Sequence, residues 1–144
     1  MRKLALRVAC FRLVDIETDV LKLVIDHKAY WANARSAAEA CYLVGILNAD
    51  TCRERIADKQ SKDQGGARDF DNLIWELPLP EYDGRNELHQ RIVAVAAECE
   101  ALAASQKLDA SAYFTTQRRV IRDALAEAGL MRRLDALVAE LLAG

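Results

Sequence analysis

Residues 59–68 of this 144-residue chain are rich in lysine, arginine and glutamine, whose side chains can bind another molecule through charge and hydrogen bonds. Basic and amide side chains surround the pair Gly65-Gly66. Because glycine adopts positive φ without a steric cost, the backbone there can come close to a ligand surface. The pattern predicts a contact loop. With a basic residue from the preceding helix, its candidate residues are Arg53, Lys59, Gln60, Ser61, Lys62, Gln64, Gly65, Gly66 and Arg68.

Catalytic and metal-binding patterns are missing from the sequence. His27 and His89 are its only histidines, and neither has a second histidine or a cysteine at metal-ligand spacing. Ser61 and Ser111 lie in no G-x-S-x-G elbow, and the glycine pair of the loop belongs to no phosphate-binding motif. No enzyme can be read from these residues, and both histidines are interpreted as structural.

Composition restricts the class of protein. A hydrophobic content of 52% over 144 residues suits one globular domain spanning 1–144. The formal charge of −2 excludes a generally basic nucleic-acid coat, so any nucleic-acid contact must come from a local patch. From Arg53 to Arg68, five basic residues stand against three acidic ones, which makes this stretch basic in an acidic chain.

The compartment is predicted from the cysteines and the N-terminal stretch. The four cysteines form no C-x-x-C pair, which indicates reduced thiols. The first residues are basic and then apolar, but Arg7, Arg12 and Asp15 interrupt the run well short of a signal segment or a membrane span. We therefore expect a cytoplasmic protein with no membrane contact.

The elements that position the contact loop begin with strands. Apolar alternation over 4–10 and a run rich in β-branched and aromatic residues over 20–31 predict an antiparallel pair. A further strand is predicted to leave the loop and to stop at Pro78, because proline fixes the geometry of the residue before it.

Two helices are predicted between the strands and the loop. Ser36 and Glu39 form a capping box for a helix that ends near Asn48 and is expected to pack on the sheet. Asp50 can cap a short second helix, which leads into the loop.

The last third of the chain reads as helical. Asn86 can cap a long helix, and Asp109 or Ser111 can begin the next one. Gly129 supplies a left-handed stop before a final helix over 130–142. The predicted fold class is therefore α+β, a small antiparallel β region followed by a helical half with a capped helix, a glycine loop and a C-terminal helical hairpin.

Four stretches and one residue pair occur in an order that carries a resemblance. The stretches are D-H-K-A-Y-W (26–31), E-A-C-Y-L-V-G-I-L-N-A-D (39–50), Q-S-K-D-Q-G-G-A-R-D-F (60–70) and W-E-L-P-L-P-E-Y-D (75–83), followed by Leu88-His89. This series resembles the C-terminal target-recognition region of fused single-chain restriction–modification enzymes and adenine-specific DNA methyltransferases. It covers about residues 20–142, and the ordered series is more specific than any single piece.

The resemblance implies a DNA sequence-recognition module that contacts duplex DNA through the contact loop. Lysine and arginine side chains at phosphates would set the register, while Arg68, Gln60 or Gln64 has the donor geometry to read a base edge. The family's methyl-transfer motif, an Asp or Asn followed by two prolines and an aromatic residue, does not occur in this chain.

The missing motif implies that the chemistry lies in another domain. No cofactor is expected in this chain, and S-adenosylmethionine would be bound by a methyltransferase or restriction catalytic domain that is the partner of this module. The chain is then expected to be a fragment, a separately encoded subunit or a truncated gene.

Other interpretations stay open. Without the resemblance, the charged loop is read as solvated surface. A second alternative is a non-catalytic protein-interaction module that dimerises or docks through its C-terminal helices, and a third is a small enzyme of unrecognised type. On the penultimate helix, Arg118, Arg119 and Arg122 form a basic cluster that is interpreted as a solvated face, since Asp123 and Glu127 lie nearby in the sequence.

Overall fold

The structure, a computed structural model, describes residues 33–59 and 77–143. Over these two ranges the chain forms five helices and no strand. The helices are α1 (Ala37–Asn48), α2 (Asp50–Lys59), α3 (Glu87–Ser105), α4 (Phe114–Glu127) and α5 (Leu130–Ala143).

The predicted α+β class is wrong, since the described part of the chain is all-helical. The strands predicted over 4–10 and 20–31 lie outside the described residues, as does most of the third predicted strand. Leu77 and Pro78, where that strand is predicted to end, carry no strand. The helix expected on a sheet, α1, packs instead on α3 and α5. An apolar stripe shows that a helix face must be buried, but it does not specify whether a sheet or another helix covers that face.

The starts of α1 and α3 agree with the prediction. The Ser36 hydroxyl accepts a hydrogen bond from the backbone N–H of Glu39 (3.1 Å), which confirms Ser36 as the N-cap. The Glu39 carboxylate accepts from the backbone and guanidinium of Arg35, and these bonds hold the pKa of Glu39 below its usual value. Asn86 is confirmed as the N-cap of α3, because its Oδ1 accepts from the N–H groups of Leu88 and His89.

The starts of α2 and α4 differ from the prediction. α2 includes Asp50 as its first residue, because the carbonyl of Ala49 already accepts from the N–H of Arg53 (3.3 Å). α4 begins at Phe114 and not at Asp109 or Ser111. The Asp109 carboxylate instead accepts from the N–H of Ser111 (2.8 Å) and from its hydroxyl, which closes a local turn that competes with helix formation.

Gly129 separates the last two helices as predicted. Its φ of +69° lies in the left-handed region, which glycine adopts without the steric cost that a Cβ would add. α4 and α5 contact each other on either side of it, so the predicted helical hairpin is confirmed.

The core lies between α1, α3 and α5, with α2 packed on α1 and α5 and with α4 packed on α3 and α5. The apolar stripe of α5 is buried here at helical spacing. Its buried members are Leu130, Leu134, Leu137, Val138 and Leu141. By contrast, none of the residues of α4 is buried.

Gly45 permits the close approach of α1 to its two neighbours. A Cβ at this position would lie 3.2 Å from the Ala96 Cβ, 3.3 Å from the Ile92 Cγ2 and 3.5 Å from the Leu134 Cδ1. Two of these distances are tighter than ordinary van der Waals contact, so a larger side chain would force α3 or α5 away.

We therefore expect Gly45→Leu to lower the free energy of unfolding by about 1–3 kcal/mol, because overpacking displaces the neighbouring backbones. Urea denaturation monitored by circular dichroism measures the change. The control is Ala101→Leu on the exposed side of α3, which should stay within about 0.5 kcal/mol of the parent chain. Equal effects of the two substitutions would contradict the close contact at Gly45.

Candidate nucleic-acid interface

Most of the predicted contact-loop residues lie outside the described residues. These are Gln60, Ser61, Lys62, Gln64, Gly65, Gly66 and Arg68. Lys59 is the last residue of α2, and Arg53 lies within the same helix. The described residues therefore include the segments that come before and after the contact loop in the sequence, α2 on one side and residues 77–83 on the other.

Arg53 is the one predicted DNA-contacting residue whose side chain is described. It forms an ion pair with Asp50 one helical turn earlier, and about a third of its side chain is exposed. This pairing offsets its charge, so Arg53 has less free charge for a phosphate than an unpaired arginine would have.

The support before the loop is α2, which is attached to α5 by polar and apolar contacts. The N–H and hydroxyl of Thr51 both lie within hydrogen-bonding distance of the Asp135 carboxylate, at 3.0 and 3.3 Å. The guanidinium of Arg55 donates to the carbonyl of Leu142 (2.8 Å) near the end of α5. Cys52 and Ile56 are fully buried on the inner side of α2. α2 therefore approaches the loop from a fixed position.

The support after the loop depends on a buried tyrosine of α1. Tyr42 has no exposed surface, and its hydroxyl donates to the carbonyl of Pro80 (3.1 Å). Leu77 is also buried in the core. A buried hydroxyl without a partner is unfavourable, so this bond holds residues 77–80 against α1.

His89 completes a cluster of three rings, the Tyr42 cluster, which consists of Tyr42, Tyr82 and His89. The His89 Nδ1 accepts from the backbone N–H of Asp83 (3.0 Å), so in the neutral ring the hydrogen belongs on Nε2. Nε2 lies 3.4 Å from the Tyr42 hydroxyl. The ring centroid of Tyr42 lies 4.7 Å from that of His89 and 5.4 Å from that of Tyr82. These contacts agree with the interpretation of His89 as a structural residue.

A tight turn connects the Tyr42 cluster to α3. The Asp83 carboxylate accepts from the backbone N–H of Arg85 (2.9 Å) and from its guanidinium, and these bonds lower the pKa of Asp83. The side-chain amide of Gln90 donates to the carbonyl of Gly84 (2.6 Å). These bonds close a turn, which fixes the chain between Pro80 and α3.

The sequence did not indicate that Tyr42, Pro80 and His89 meet. They lie on α1, within residues 77–83 and on α3, and no local pattern around any one of them indicates a contact with the other two. The available signal was their joint occurrence, because each belongs to one of the pieces that carry the resemblance.

Burial also changes the chemistry of two side chains in the core. Burial raises the pKa of the Tyr42 phenol to about 12 and that of the Cys52 thiol to about 11. Both groups are therefore neutral at physiological pH. Cys52 has neither the thiolate character nor the access that a reactive cysteine needs.

Removal of the Tyr42 hydroxyl should destabilise the chain. Tyr42→Phe leaves the Pro80 carbonyl and the His89 N–H without their partner, so we expect a loss of about 1–3 kcal/mol in the free energy of unfolding. Urea denaturation provides the measurement. Tyr113→Phe is the matched control, since Tyr113 is 85% exposed and should tolerate the change within about 0.5 kcal/mol. Equal stability of the two variants would show that the buried bond contributes nothing.

Cys52 should resist alkylation in the native protein. At pH 8 a pKa near 11 leaves about a hundredfold less thiolate than the ordinary cysteine value of 9.0, before any loss of access is counted. Reaction with iodoacetamide, followed by peptide mass spectrometry, gives the rate at each cysteine. Cys99 is the internal control because it is only half-buried. Labelling of Cys52 as fast as Cys99 in the folded chain would contradict the burial.

The helices within residues 33–59 and 77–143 include none with the length and hydropathy of a membrane span. In these same ranges, no group of three histidine, cysteine, aspartate or glutamate side chains could hold a metal ion. The chain matches no protein-family model, no curated protein and no solved structure.

Proposed function

We propose that this chain is a DNA target-recognition module, which contacts duplex DNA through residues 59–68 and acts with a methyltransferase or restriction catalytic domain. The observation that carries the proposal is the ordered series of pieces from residue 26 to His89, which resembles the target-recognition region of DNA amino-methyltransferases. In this function the chain reads a DNA sequence and performs no chemistry itself.

Contacts among the resembling pieces support the proposal. The piece that spans 39–50 coincides with α1 and its end, and its Tyr42 contacts both Pro80 and His89 from two other pieces. Pieces that share one functional arrangement are expected to contact each other, whereas chance similarities along a chain are not. The contact loop lies between the first two of these three pieces.

The side chains of the contact loop suit two different tasks. Lys59 and Lys62 carry point charges that neutralise phosphates, which contributes affinity without sequence preference. Arg68 has a planar guanidinium that can bind both acceptors of a guanine edge, and the amide of Gln60 or Gln64 can pair with adenine. Because the chain carries a net charge of −2, binding depends on this local set and we expect the isolated chain to bind weakly.

The catalytic step belongs to the partner domain in this proposal. The only prolines of the chain, Pro78 and Pro80, are separated by Leu79, so no two prolines follow an Asp or Asn as methyl transfer in the resembled family requires. S-adenosylmethionine would be bound by that partner.

The alternative function is a protein-interaction module that dimerises or docks through its C-terminal helices. The burial of α5 argues against docking through that helix. Its apolar stripe, from Leu130 to Leu141, is already buried against the other helices of this chain. A partner could reach that stripe only if the core opened. The outer side of α4 is the part of the hairpin that remains available.

Substitutions in the contact loop test the proposal. Selection from a random duplex library, with the chain in complex with its catalytic domain, would first give the recognised sequence. Arg68→Ala should then lose about 1–3 kcal/mol of discrimination at one base pair, while Lys59→Ala or Lys62→Ala should weaken binding to all duplexes and lower the salt slope by about 1 each. Fluorescence anisotropy over a salt series measures both effects.

The control for these substitutions is Arg132→Ala, which removes an exposed positive charge from α5. It should leave discrimination unchanged. Binding that is indifferent to all three loop substitutions, in correctly folded chains, would return residues 59–68 to the role of solvated surface.

A further inference from the structure

The outer side of α4 carries a group of exposed aromatic and basic residues, which we call the α4 surface. Tyr113 is 85% exposed and Phe114 is 64% exposed, although large aromatic side chains usually lie inside a protein. Arg119 and Arg122 are also exposed, and Arg118 is half-buried. Because these two rings are largely exposed beside three arginines, they contribute little to the core, and we consider a binding role for them.

Within residues 33–59 and 77–143, most arginines outside the α4 surface lie in ion pairs, while Arg55 donates to the carbonyl of Leu142 and the exposed Arg132 forms no ion pair. Five arginines elsewhere are each paired with a carboxylate. They are Arg35 with Glu39, Arg53 with Asp50, Arg85 with Asp83, Arg91 with Glu140, and Arg133 with Glu98.

None of the ion pairs found within residues 33–59 and 77–143 includes Arg118, Arg119 or Arg122. Asp123 and Glu127 lie on the same helix, but neither comes within ion-pair distance of these arginines. Asp123 and Glu127 therefore lower the net charge of α4 without forming an ion pair with any of the three guanidinium groups.

These residues occupy one side of α4. Phe114, Arg118 and Arg122 follow at intervals of four residues, which places them one above the other on a helix, and Arg119 widens the stripe. From Arg118 to Arg122 the helix rises about 6 Å. One strand of DNA presents about two phosphates over that distance.

The start of α4 is held in place from within the chain. The side-chain amide of Gln117 donates to the carbonyl of Asp109 (2.8 Å) and to that of Ala112 (3.1 Å). The guanidinium carbon of Arg118 lies 5.8 Å from the centre of the Phe114 ring. A cation–π contact orients a guanidinium but, unlike a carboxylate, does not neutralise its charge or occupy all its N–H donors. The α4 surface is thus ordered and still positively charged.

We propose that the α4 surface is a second nucleic-acid contact, in which Arg118, Arg119 and Arg122 bind the phosphates of a DNA strand and Tyr113 and Phe114 pack on its sugars or bases. Charge complementarity favours this ligand, because a polyanion with flat apolar faces can bind both the arginines, which lie in no ion pair among the described residues, and the exposed rings. The inference rests on the proposed DNA-recognition function and extends it, since contacts to phosphates give affinity and register but no sequence preference.

The test compares two triple variants of the chain. In one, Arg118, Arg119 and Arg122 are all changed to Gln, and in the other all three are changed to Lys. Binding of a labelled duplex and of the same strand unpaired is measured by fluorescence anisotropy from about 50 to 200 mM salt. The Gln variant should lower the salt slope on the duplex by about 2–3 and weaken binding to every sequence by at least about tenfold, whereas the Lys variant should keep most of the slope.

Two controls separate a loss of binding from a loss of structure. Arg132→Gln removes one exposed charge of α5 and should change the slope less than Arg119→Gln does. Circular dichroism and thermal melting of both triple variants should match the parent chain, because these arginines contribute to no ion pair in the described residues. A stronger effect on the unpaired strand than on the duplex would assign Tyr113 and Phe114 to base stacking.

The outcomes distinguish this inference from the proposed function. If the Gln variant keeps the salt slope while Lys62→Ala lowers it, the α4 surface is no DNA contact and the contact loop still is. If the Gln variant lowers the slope while Arg68→Ala leaves discrimination intact, the α4 surface binds DNA and the recognition function of the loop fails. An unchanged slope, together with a dimer that Phe114→Ser converts to a monomer in sedimentation, would identify a protein interface and overturn the inference.

Discussion

The hydrogen bond between Tyr42 and Pro80 is the constraint on which the arrangement of the described residues depends. Tyr42 has no exposed surface, so its hydroxyl must find a partner inside the protein. The partner is a carbonyl 38 positions later in the chain, and the same hydroxyl lies beside the His89 ring on α3. One buried polar group therefore links α1, residues 77–83 and α3, in addition to the apolar contacts between the helices.

The consequence for function concerns the segment between α2 and Leu77. On one side, α2 is attached to α5 through Asp135 and the carbonyl of Leu142. On the other side, Pro80 is attached to α1. Recognition residues are most effective when a rigid scaffold supports them, since less conformational entropy is then lost on binding. The described residues on both sides of 60–76 are thus held to the helical body, which is the arrangement that the proposed recognition function would need.

Five arginines of the described residues are matched with carboxylates, whereas Arg55 donates to a backbone carbonyl and the exposed Arg132 forms no ion pair. Among the same residues, the arginines of the α4 surface have no carboxylate partners, and the exposed ring of Phe114 lies next to one of them. The net charge of a chain thus does not show where its charged surfaces lie. The ion pairs of the individual side chains are more informative.

The sequence by itself determined the local features of this protein. Ser36 and Asn86 cap their helices and Gly129 stops one, because each acts through its own side chain or backbone on residues within a few positions. The burial of the α5 stripe also follows from its periodicity. The predicted start of α4 is too early, because the Asp109 carboxylate can close a turn as well as cap a helix, and its surroundings decide between the two.

Tertiary structure alone decided what covers each apolar face. The sequence predicts a sheet against the apolar stripe of α1, yet α3 and α5 cover this stripe, and Gly45 makes that close approach possible. Likewise, no local pattern indicates that Tyr42 reaches Pro80 and His89, or that Arg118, Arg119 and Arg122 stay unpaired while Arg133 finds Glu98. Each of these outcomes depends on residues far apart in the chain that compete for the same space or the same charge, and periodicity and spacing contain no information about that competition.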